Sequence, residues 1–583
     1  MKATSVAIQD ETLGIVRKPT FRWRVAMSVS LLFAMAFFTR HLAGYAVSGS
    51  EYTPFVYSSA EIEAQPHTKY DFRPDDTVWD EARAYARMTQ GVLRGELLNS
   101  TIDTYQPYLA GGKTVARRWF IRDGVGQVTL AGLAWLPPSS VPFAFLVADL
   151  IFVFFCSLTM MMLCFAIRPS MSYGLAGAAF VLFFNWRDLL NGLDFFRGAP
   201  QNSSMFLRTP YPQVAFPLLI LFVLAVISLL EKPSALRVLM AATTLAISSY
   251  TYFYSWTFAY AFVAAVGILL FGEEGGWVEF THVGTKTQRA LGGLAIAGAL
   301  GLLASLPVWA GVLQKTAAVS DSFRRLNGEL THAIDLHDSI PLLIVGVAIL
   351  VWKKKGLRLH WLTPAIIIAS LLTLNVQVLT GKTIQPGHWT TYFIRPLLQL
   401  CFLDMLWTLI QDRRKIQVAI TYCLAIGGIL LVVVQFWTAA VQSAPIQTRS
   451  SSFDQLVETM ARPELLRFGF VTNDVYLSTI LPAFVRQKPL MPSYMDPLSD
   501  TELSQLQLAA AEATGYTEWS EYARIAGVTA QPDQTVHRLH FRSEMVMLVV
   551  NKHRAFPPSA NTAANCRLLD NTDFAVFTPC AAR

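Results

Sequence analysis

Apolar residues recur in eleven stretches along the 583-residue chain, separated by polar connections. About 20 consecutive apolar residues are needed for a helix to cross the hydrocarbon core of a bilayer. The clearest stretches run over 25–46 and 141–167, and the last one ends near residue 440. The pattern predicts an α-helical polytopic membrane protein with about 11 transmembrane helices, rather than a soluble domain with one anchor.

Basic residues cluster on alternate connections between these stretches. The clusters are Arg17, Lys18, Arg22 and Arg24; Arg168; Lys232 and Arg237; Lys286 and Arg289; Lys353, Lys354, Lys355 and Arg358; and Arg413, Arg414 and Lys415. Cytoplasmic loops of membrane proteins carry an excess of Lys and Arg. The clusters therefore predict a cytoplasmic tail (1–24), a transmembrane domain (25–440) and two long exterior segments (47–140 and 441–583). One missed or extra helix would reverse the last of these assignments.

Composition agrees with a membrane protein. Hydrophobic residues make up 53% of the chain, charged residues 15%, and the mean hydropathy is +0.39. Soluble globular domains carry about 25% charged residues. The net charge of +7 does not indicate a nucleic-acid partner, because most of the conspicuous basic residues flank apolar stretches and set their orientation.

Candidate catalytic residues lie in the first exterior segment, in the run DFRPDDTVWDEARAYARM. Asp75, Asp76 and Thr77 are capping-type residues that predict the start of a helix, with Asp80 and Glu81 in its first turns. An apolar face at helical spacing follows, formed by Tyr85, Met88, Val92 and Leu93. Two interpretations stay open. The segment is a capped amphipathic helix on the membrane surface, or it holds a carboxylate above the bilayer as a general base or metal ligand.

The order of these features resembles the GT-C membrane glycosyltransferases: one apolar helix, a large exterior loop with an Asp-Glu pair, a series of helices and a soluble exterior tail. The loop is most similar to uncharacterised bacterial members with a DE…Y-A-R…G pattern. In this chain the pattern falls on Asp80, Glu81, Tyr85, Ala86, Arg87 and Gly91 or Gly95.

The resemblance implies an inverting-type glycosyltransferase of a bacterial inner membrane, with the C-terminal domain in the periplasm or outside the cell. The sugar would come from a polyprenyl-phosphate carrier and pass to an envelope glycan, lipid or protein acceptor. An acidic residue of the first exterior loop would be the catalytic base: Asp80 first, Glu81 next and Asp76 in reserve. Glu81 would orient the base or hold a divalent metal ion.

Such a reaction needs cations that stabilise the departing phosphate at the exterior ends of helices, because the carrier's tail stays in lipid. The richest connection is the ninth–tenth, NVQVLTGKTIQPGHWTTYFIRP, with Lys382, His388 and Arg395. An interfacial loop with aromatic anchors and an Arg that extends to the headgroups would explain it equally well. Further candidates lie on the third–fourth and seventh–eighth connections: Arg187, Arg197, Arg208 and Gln213, and Arg324, Arg325, His332 and His337.

Two carboxylates, Asp149 and Asp404, lie within apolar stretches. Such residues are costly in a membrane and predict pairing with an Arg or Lys on a neighbouring helix; a proton pathway is the alternative. The aromatic run at 250–262 predicts an interfacial belt at the fifth–sixth hairpin, or less simply a sugar-stacking platform.

The C-terminal segment alternates strand-like and helix-like patterns and predicts a small exterior α/β domain. A strand, a turn at Asn473-Asp474 and a helix are expected first, and a capping box at Ser499 and Glu502 opens a later helix. A role in acceptor recognition or support is expected for this domain. Cys566 and Cys580 lie where disulfides are permitted, and their bridging is left open.

Phosphate-cradle, zinc-protease and serine-hydrolase motifs are absent from the sequence. A lipid-linked sugar flippase or secondary transporter remains an alternative to the enzyme, although a transporter would favour repeated halves. A non-catalytic envelope-polysaccharide assembly protein is a third candidate.

Overall fold

The fold was analysed in a computed structural model. It describes residues 20–54, 78–96, 102–110, 124–137, 140–184, 209–274, 287–308, 328–330, 332–336, 339–340, 342–347, 360–380, 382–384, 386–447, 449–492, 498–526, 531–561 and 565–580. For residues 78–84, 102–103, 273–274, 287, 328–330, 382–384, 386, 439, 442–447 and 561 it describes the backbone alone.

Helices dominate the chain up to residue 447. In order they are α1 (Trp23–Ser48), α2 (Val78–Leu93), α3 (Gly124–Ala134), α4 (Val141–Ile167), α5 (Met171–Phe183), α6 (Ala215–Glu231), α7 (Ala235–Ser249), α8 (Phe253–Glu274), α9 (Thr287–Ala304), α10 (Leu362–Leu374), α11 (Val376–Thr380), α12 (Pro386–Trp389), α13 (Arg395–Leu409) and α14 (Arg414–Gln447). Two short strands, β1 (Gly328–Leu330) and β2 (Lys382–Ile384), pair antiparallel.

Within the described residues, four helices are both long and apolar enough to cross a membrane: Trp23–Glu51, Val141–Ile167, Phe253–Gly272 and Arg414–Thr438. Six shorter apolar helices accompany them: Gly124–Ala134, Met171–Phe183, Ala215–Glu231, Ala235–Ser249, Gln288–Ala304 and Leu362–Leu374. Ten of the eleven predicted stretches coincide with one of these helices, and the described part of the eighth, 339–340 and 342–347, is also helical. The membrane class is supported, and the number of spans stays a prediction.

One apolar helix was not predicted. Helix α3 lies inside the predicted first exterior segment and has 11 residues. At 1.5 Å per residue it is about 16 Å long, roughly half the thickness of a hydrocarbon core. It packs against α2 and α4, so it joins the exterior segment to the helical bundle without crossing a membrane on its own.

The centre of the bundle is packed around aromatic rings. Helix α1 contacts both α4 and α14, and its Phe33 ring lies 4.8 Å from that of Phe183 on α5. A Cβ on Gly428 of α14 would come within 2.6 Å of the Phe183 ring. Small residues allow helix backbones to approach closely in membrane proteins, so Gly428 lets α14 pack directly against this aromatic cluster.

The C-terminal segment folds as a small α/β domain, as predicted. Its helices are α15 (Ser451–Met460), α16 (Val475–Ile480), α17 (Asp500–Ala513) and α18 (Trp519–Ala526); its strands are β3 (Gly469–Thr472), β4 (Lys488–Pro489), β5 (Val546–Asn551), β6 (Asn565–Asp570) and β7 (Phe574–Pro579). The sheet order is β4-β3-β5-β7-β6, with β3 parallel to β4 and β5, and β7 antiparallel to β5 and β6.

Local sequence signals explain how this domain begins its helices. Asp474 ends the turn after β3 and accepts a hydrogen bond from the Tyr476 N–H at 3.0 Å. Ser499 and Glu502 form the predicted capping box at the start of α17. A disulfide joins Cys566 to Cys580, whose Cα atoms lie 4.8 Å apart, which settles the pairing that the sequence left open.

The segment predicted to be the first exterior loop lies directly against this domain. The Ala110 N–H donates to the His540 carbonyl at 2.8 Å, and the Arg542 N–H donates to the Tyr108 carbonyl at 2.7 Å. Segments 108–110 and 540–542 thus pair as two short strands would. Segments in contact must lie on one side of a membrane, so the two segments predicted to be exterior share a side.

Candidate functional site at one end of the helical bundle

Helix α2 carries the candidate bases. The helix predicted from the capping residues is confirmed at Val78–Leu93, which puts the backbone of Asp80 and Glu81 in its first turn. Their side chains, and the whole of Asp76, lie outside the described part of the structure. The assignment of one of them as the base therefore stays a prediction.

Tyr85, one turn after Glu81, connects α2 to the bundle. Its ring is 5% exposed and contacts the ring of Tyr211 edge-on, at 5.3 Å between centroids. Met88 and Leu93 also pack against the core. Three of the four residues of the predicted apolar face thus pack against protein.

Tyr211 lies in the turn that precedes α6, where two hydrogen bonds fix its hydroxyl. That oxygen accepts from the Gly126 N–H at 3.0 Å and donates to the Gln127 side chain at 3.2 Å. A Cβ on Gly126 would lie 2.6 Å from the same oxygen. Only a glycine at position 126 therefore allows Tyr211 to contact the α3 backbone in this way.

Tyr252 continues the stack toward the ninth–tenth connection. Its ring is parallel to that of Tyr211, with 5.0 Å between centroids and 7° between planes. Its hydroxyl lies 2.8 Å from Nδ1 of His388. Tyr85, Tyr211, Tyr252 and His388 form a row, hereafter the aromatic row, that links α2 to the segment with the predicted phosphate ligands.

His388 lies in an irregular helical segment. It lies in the short helix α12, and a π-helical turn follows at Thr390–Ile394. Arg395, which is half-buried, is the first residue of α13. Such π turns are often found at functional sites. The Trp389 indole N–H donates to Thr257 Oγ1 at 2.7 Å and holds the segment against α8.

The seventh–eighth connection also reaches this region. The Asn375 side chain donates to Ser339 at 2.9 Å and accepts from the Asp335 N–H at 3.0 Å. Gln377 donates to the Ala333 carbonyl at 3.2 Å. All three connections chosen from the sequence as cation-bearing therefore contribute described residues to one end of the bundle.

A buried ionic centre lies beside the aromatic row. Asp149 of α4 is 4% exposed and accepts hydrogen bonds through both oxygens. Its four side-chain donors are Arg40, His41 at 2.6 Å, Thr209, and Gln213 at 2.8 Å. The predicted pairing of Asp149 with an Arg on a neighbouring helix is confirmed.

The same centre extends to the end of α1. His41 Nδ1 lies 2.8 Å from the Tyr52 hydroxyl, and burial raises the pKa of Tyr52, so this hydroxyl stays protonated at neutral pH. A side chain on Gly44 would collide with the Tyr52 ring. The centre thus joins α1, α4 and the 209–213 turn, which also holds Tyr211.

The predicted phosphate ligands are distributed unevenly. His388 and Arg395 lie in the π-helical segment, and Lys382 lies in β2, where the backbone alone is described. Gln213 is completely buried and bonded to Asp149 and Thr209. Arg187 and Arg208 lie outside the described residues. Phosphate binding by this set stays a prediction.

Asp404 lies near the opposite, basic-cluster end of the bundle. Its carboxylate accepts from Arg168 Nε and from the His360 N–H at 3.4 Å. Arg168 also donates to Thr408. This pair, too, confirms the expectation for intramembrane carboxylates.

A metal ion was expected as one option for Glu81. Among the residues that the structure describes, no group of three His, Cys, Asp or Glu side chains is close enough to hold one. The carboxylate side chains in question lie outside that set, so a metal ion at Glu81 stays an expectation from the sequence.

Several site residues were missed by reasoning from the sequence. Arg40 and His41 interrupt an apolar helix, and ionisable residues within such a helix are a recognised sign of a buried polar centre. Tyr252, Tyr254 and Trp256 were assigned to an interfacial belt, but each is at most 8% exposed. The belt prediction is wrong for these three. Tyr252 and Tyr254 pack around His388 and Trp389, and Trp256 packs on Phe253.

Comparison with known proteins adds little to this site. No protein-family model matches the sequence, and neither does any curated protein. Among solved structures, the chain is similar to the Archaeoglobus fulgidus oligosaccharyltransferase complex with Zn and sulfate, with a TM-score of 0.45 and 10% identity. The match covers 90% of this chain and 68% of that one. A similarity of this size carries no functional argument, so the site is interpreted from its own geometry.

Proposed function

We propose that this protein is a membrane glycosyltransferase that moves a sugar from a polyprenyl-phosphate carrier to an envelope acceptor on the exterior face of a bacterial inner membrane. The supporting observation is the aromatic row. It brings the helix of the candidate bases, the turn after Arg208 and the segment of His388 and Arg395 to one end of an apolar bundle.

The chemistry divides between two sets of residues. A carboxylate of α2, Asp80 first, accepts the proton of the acceptor hydroxyl. The acceptor oxygen then bonds to the anomeric carbon, and the bond from that carbon to the phosphate oxygen breaks with its electron pair on the polyprenyl phosphate. Arg395 and His388 stabilise the departing phosphate, with Lys382, Arg187 and Arg208 as further cations.

The arrangement favours a lipid-linked donor over a soluble one. The candidate cations lie at the start of helices of the bundle or in the connections before them. The isoprenoid tail of a phosphate bound there would therefore lie beside apolar helix surfaces. A domain formed by the C-terminal segment and the first exterior loop lies on the same side. The acceptor hydroxyl would therefore approach from the aqueous side, next to α2.

The test is glycosyl transfer in proteoliposomes supplied with a panel of polyprenyl-phosphate sugars. Wild-type protein is compared with Asp80→Asn and Glu81→Gln, and with Asp533→Asn as a matched control in an exposed loop of the C-terminal domain. We expect transfer by wild type and control and its loss in at least one α2 variant with an unchanged melting temperature. Flipping of the lipids without transfer by wild type would contradict the proposal.

A further inference from the structure

The end of α2 turns sharply toward the C-terminal domain. Gly95 has a φ of +78°, a left-handed conformation that favours glycine. The Glu96 N–H donates to the Gly91 carbonyl and the Gly95 N–H to the Val92 carbonyl, both at 2.9 Å. This is the Schellman arrangement that ends a helix, and it fixes Glu96 directly after α2.

Glu96 is held by two cations. Arg94 donates to both of its oxygens at 2.9 and 3.0 Å, and Lys488 of β4 contacts it at 3.3 Å. Burial raises the pKa of Glu96, but Lys488 and Arg94 outweigh burial and lower it below its usual value. Glu96 therefore stays ionised between the two cations.

Lys488 belongs to the C-terminal domain, and its side chain is only 2% exposed. Besides Glu96 it donates to Thr104 Oγ1, and its Nζ lies 4.3 Å from the centre of the Tyr105 ring. A buried ammonium is tolerated only when it is well paired. Every one of these three partners comes from the first exterior segment, so the lysine fastens that segment to the edge of the five-stranded sheet.

Arg87 makes a second connection in the middle of α2. It is 6% exposed and donates to the Met491 carbonyl at 3.3 Å and to the Tyr105 hydroxyl at 3.1 Å. Side chains two residues apart on a helix point in nearly opposite directions, about 160° apart. Tyr85 therefore contacts the bundle while Arg87 contacts the C-terminal domain, and α2 lies between the two.

We propose that Lys488 is a positioning residue: through Glu96 and Tyr105 it holds α2 on the C-terminal domain and so sets where Asp80 and Glu81 lie over the bundle. The role in the reaction rests on the proposed function. The physical part, that α2 is held in place by a lysine of another domain, does not.

The experiment combines hydrogen exchange with transfer kinetics on the full-length protein in nanodiscs. Lys488→Met removes the charge, Lys488→Arg retains it, and Glu96→Gln weakens the pair from its other side. Lys552→Met is the matched control, because Lys552 pairs with Asp570 within the C-terminal domain. Exchange at the β5 amides reports whether the domain remains folded.

We expect amides of 85–96 to exchange about tenfold faster or more in Lys488→Met, the size of one lost charge-assisted hydrogen bond. Lys488→Arg should stay near the wild-type rate, Glu96→Gln should be intermediate, and Lys552→Met unchanged. In transfer, kcat should fall in Lys488→Met while the KM for the donor is retained, since the donor ligands lie elsewhere.

If the amides of 85–96 exchange at the wild-type rate in both Lys488→Met and Glu96→Gln, the proposal is overturned. Faster exchange with an unchanged kcat would overturn the positioning role. If the β5 amides also exchange faster in Lys488→Met, the C-terminal domain is unfolded in that variant. Exchange of 85–96 in Glu96→Gln is then the deciding measurement. If the wild type transfers no sugar, the proposed function fails, while exchange still decides whether Lys488 holds α2.

Discussion

Two carboxylates buried in the bundle are stabilised in different ways. Asp149 receives four side-chain donors from α1 and the 209–213 turn, so it joins three separate parts of the chain. Among the described residues, Asp404 accepts from the Arg168 guanidinium and, at 3.4 Å, from the His360 main-chain N–H. Both satisfy the requirement that a charge in an apolar bundle be paired.

The difference indicates which of the two carboxylates supports the candidate functional site. Two partners of Asp149, Thr209 and Gln213, flank Tyr211 of the aromatic row, so its charge holds a turn of the candidate site in place. Asp404 links the end of α4 to α13, nine helical residues and about 13 Å beyond Arg395. We therefore infer that Asp149 helps to position the site, whereas Asp404 stabilises the packing of α4 against α13.

The largest effect is expected for Asp149→Asn. Losing this charge leaves Arg40 without its buried counter-ion, and breaking such a pair from one side costs about 3–5 kcal/mol. We expect a strongly lowered melting temperature in detergent, and loss of transfer per folded molecule because the 209–213 turn is released.

A double variant separates these two effects. Arg40→Met with Asp149→Leu removes the whole ion pair, which is often neutral for stability. It should recover part of the melting temperature, because His41, Thr209 and Gln213 still lose their acceptor, and none of the transfer. Wild-type transfer per folded molecule in either Asp149 variant would show that the centre does not support the site.

Asp404→Asn tests the carboxylate at the opposite end of the bundle. Arg168 loses its buried partner, so stability should fall by about 3 kcal/mol or somewhat less, because Arg168 keeps its hydrogen bond to Thr408. Transfer per folded molecule should stay at the wild-type level. Selective loss of transfer in this variant would contradict the division drawn between the two ends.

Gly126→Ala tests the anchoring of Tyr211. The new methyl would lie 2.6 Å from the Tyr211 oxygen and 3.0 Å from Pro210 Cγ, and such overpacking costs about 1–3 kcal/mol. Transfer should decrease as Tyr211 shifts. Gly132→Ala in the same helix is the control, since a Cβ there meets open space; equal effects of the two changes would refute the anchoring.

The smallest stability change is expected for Tyr252→Phe. It removes only the hydroxyl that contacts His388 Nδ1, worth about 1 kcal/mol. The ring of His388 then loses a partner that fixes its tautomer, so the KM for the donor should rise while the melting temperature barely changes. The control is Tyr422→Phe, which changes an exposed tyrosine of α14 and should leave both the KM and the melting temperature unchanged. An unaltered KM in Tyr252→Phe would show that the Tyr252 hydroxyl does not orient His388.

Much of the architecture could be predicted because it depends on local sequence. A helix in lipid must be apolar around its whole circumference, so the stretch at 141–167 coincides with α4. Capping residues at Asp474 and Ser499 fixed helix starts in the C-terminal domain for the same local reason. Helix α3 escaped prediction because its 11 apolar residues lie within a polar segment and are too few to suggest a span.

The site was harder to predict because its contacts are non-local. Asp149 and Arg40 are 109 positions apart, and Tyr252 and His388 are 136 apart. A single sequence shows that Asp149 needs a partner, but it does not show which cation is that partner. The inward packing of Tyr252 was likewise invisible, since aromatic residues near a hairpin suit an interface equally well.

The most direct test of the account is photolabelling with a polyprenyl phosphate that carries a photoreactive group on the isoprene unit next to the phosphate. Labelled peptides of the full-length protein in nanodiscs are identified by mass spectrometry, with excess unmodified lipid as competitor. We predict competed labelling within 209–217, 252–256 and 386–397, around the aromatic row. Labelling confined to the Arg168–Asp404 end, or labelling that the competitor does not reduce, would contradict a donor site at the aromatic row.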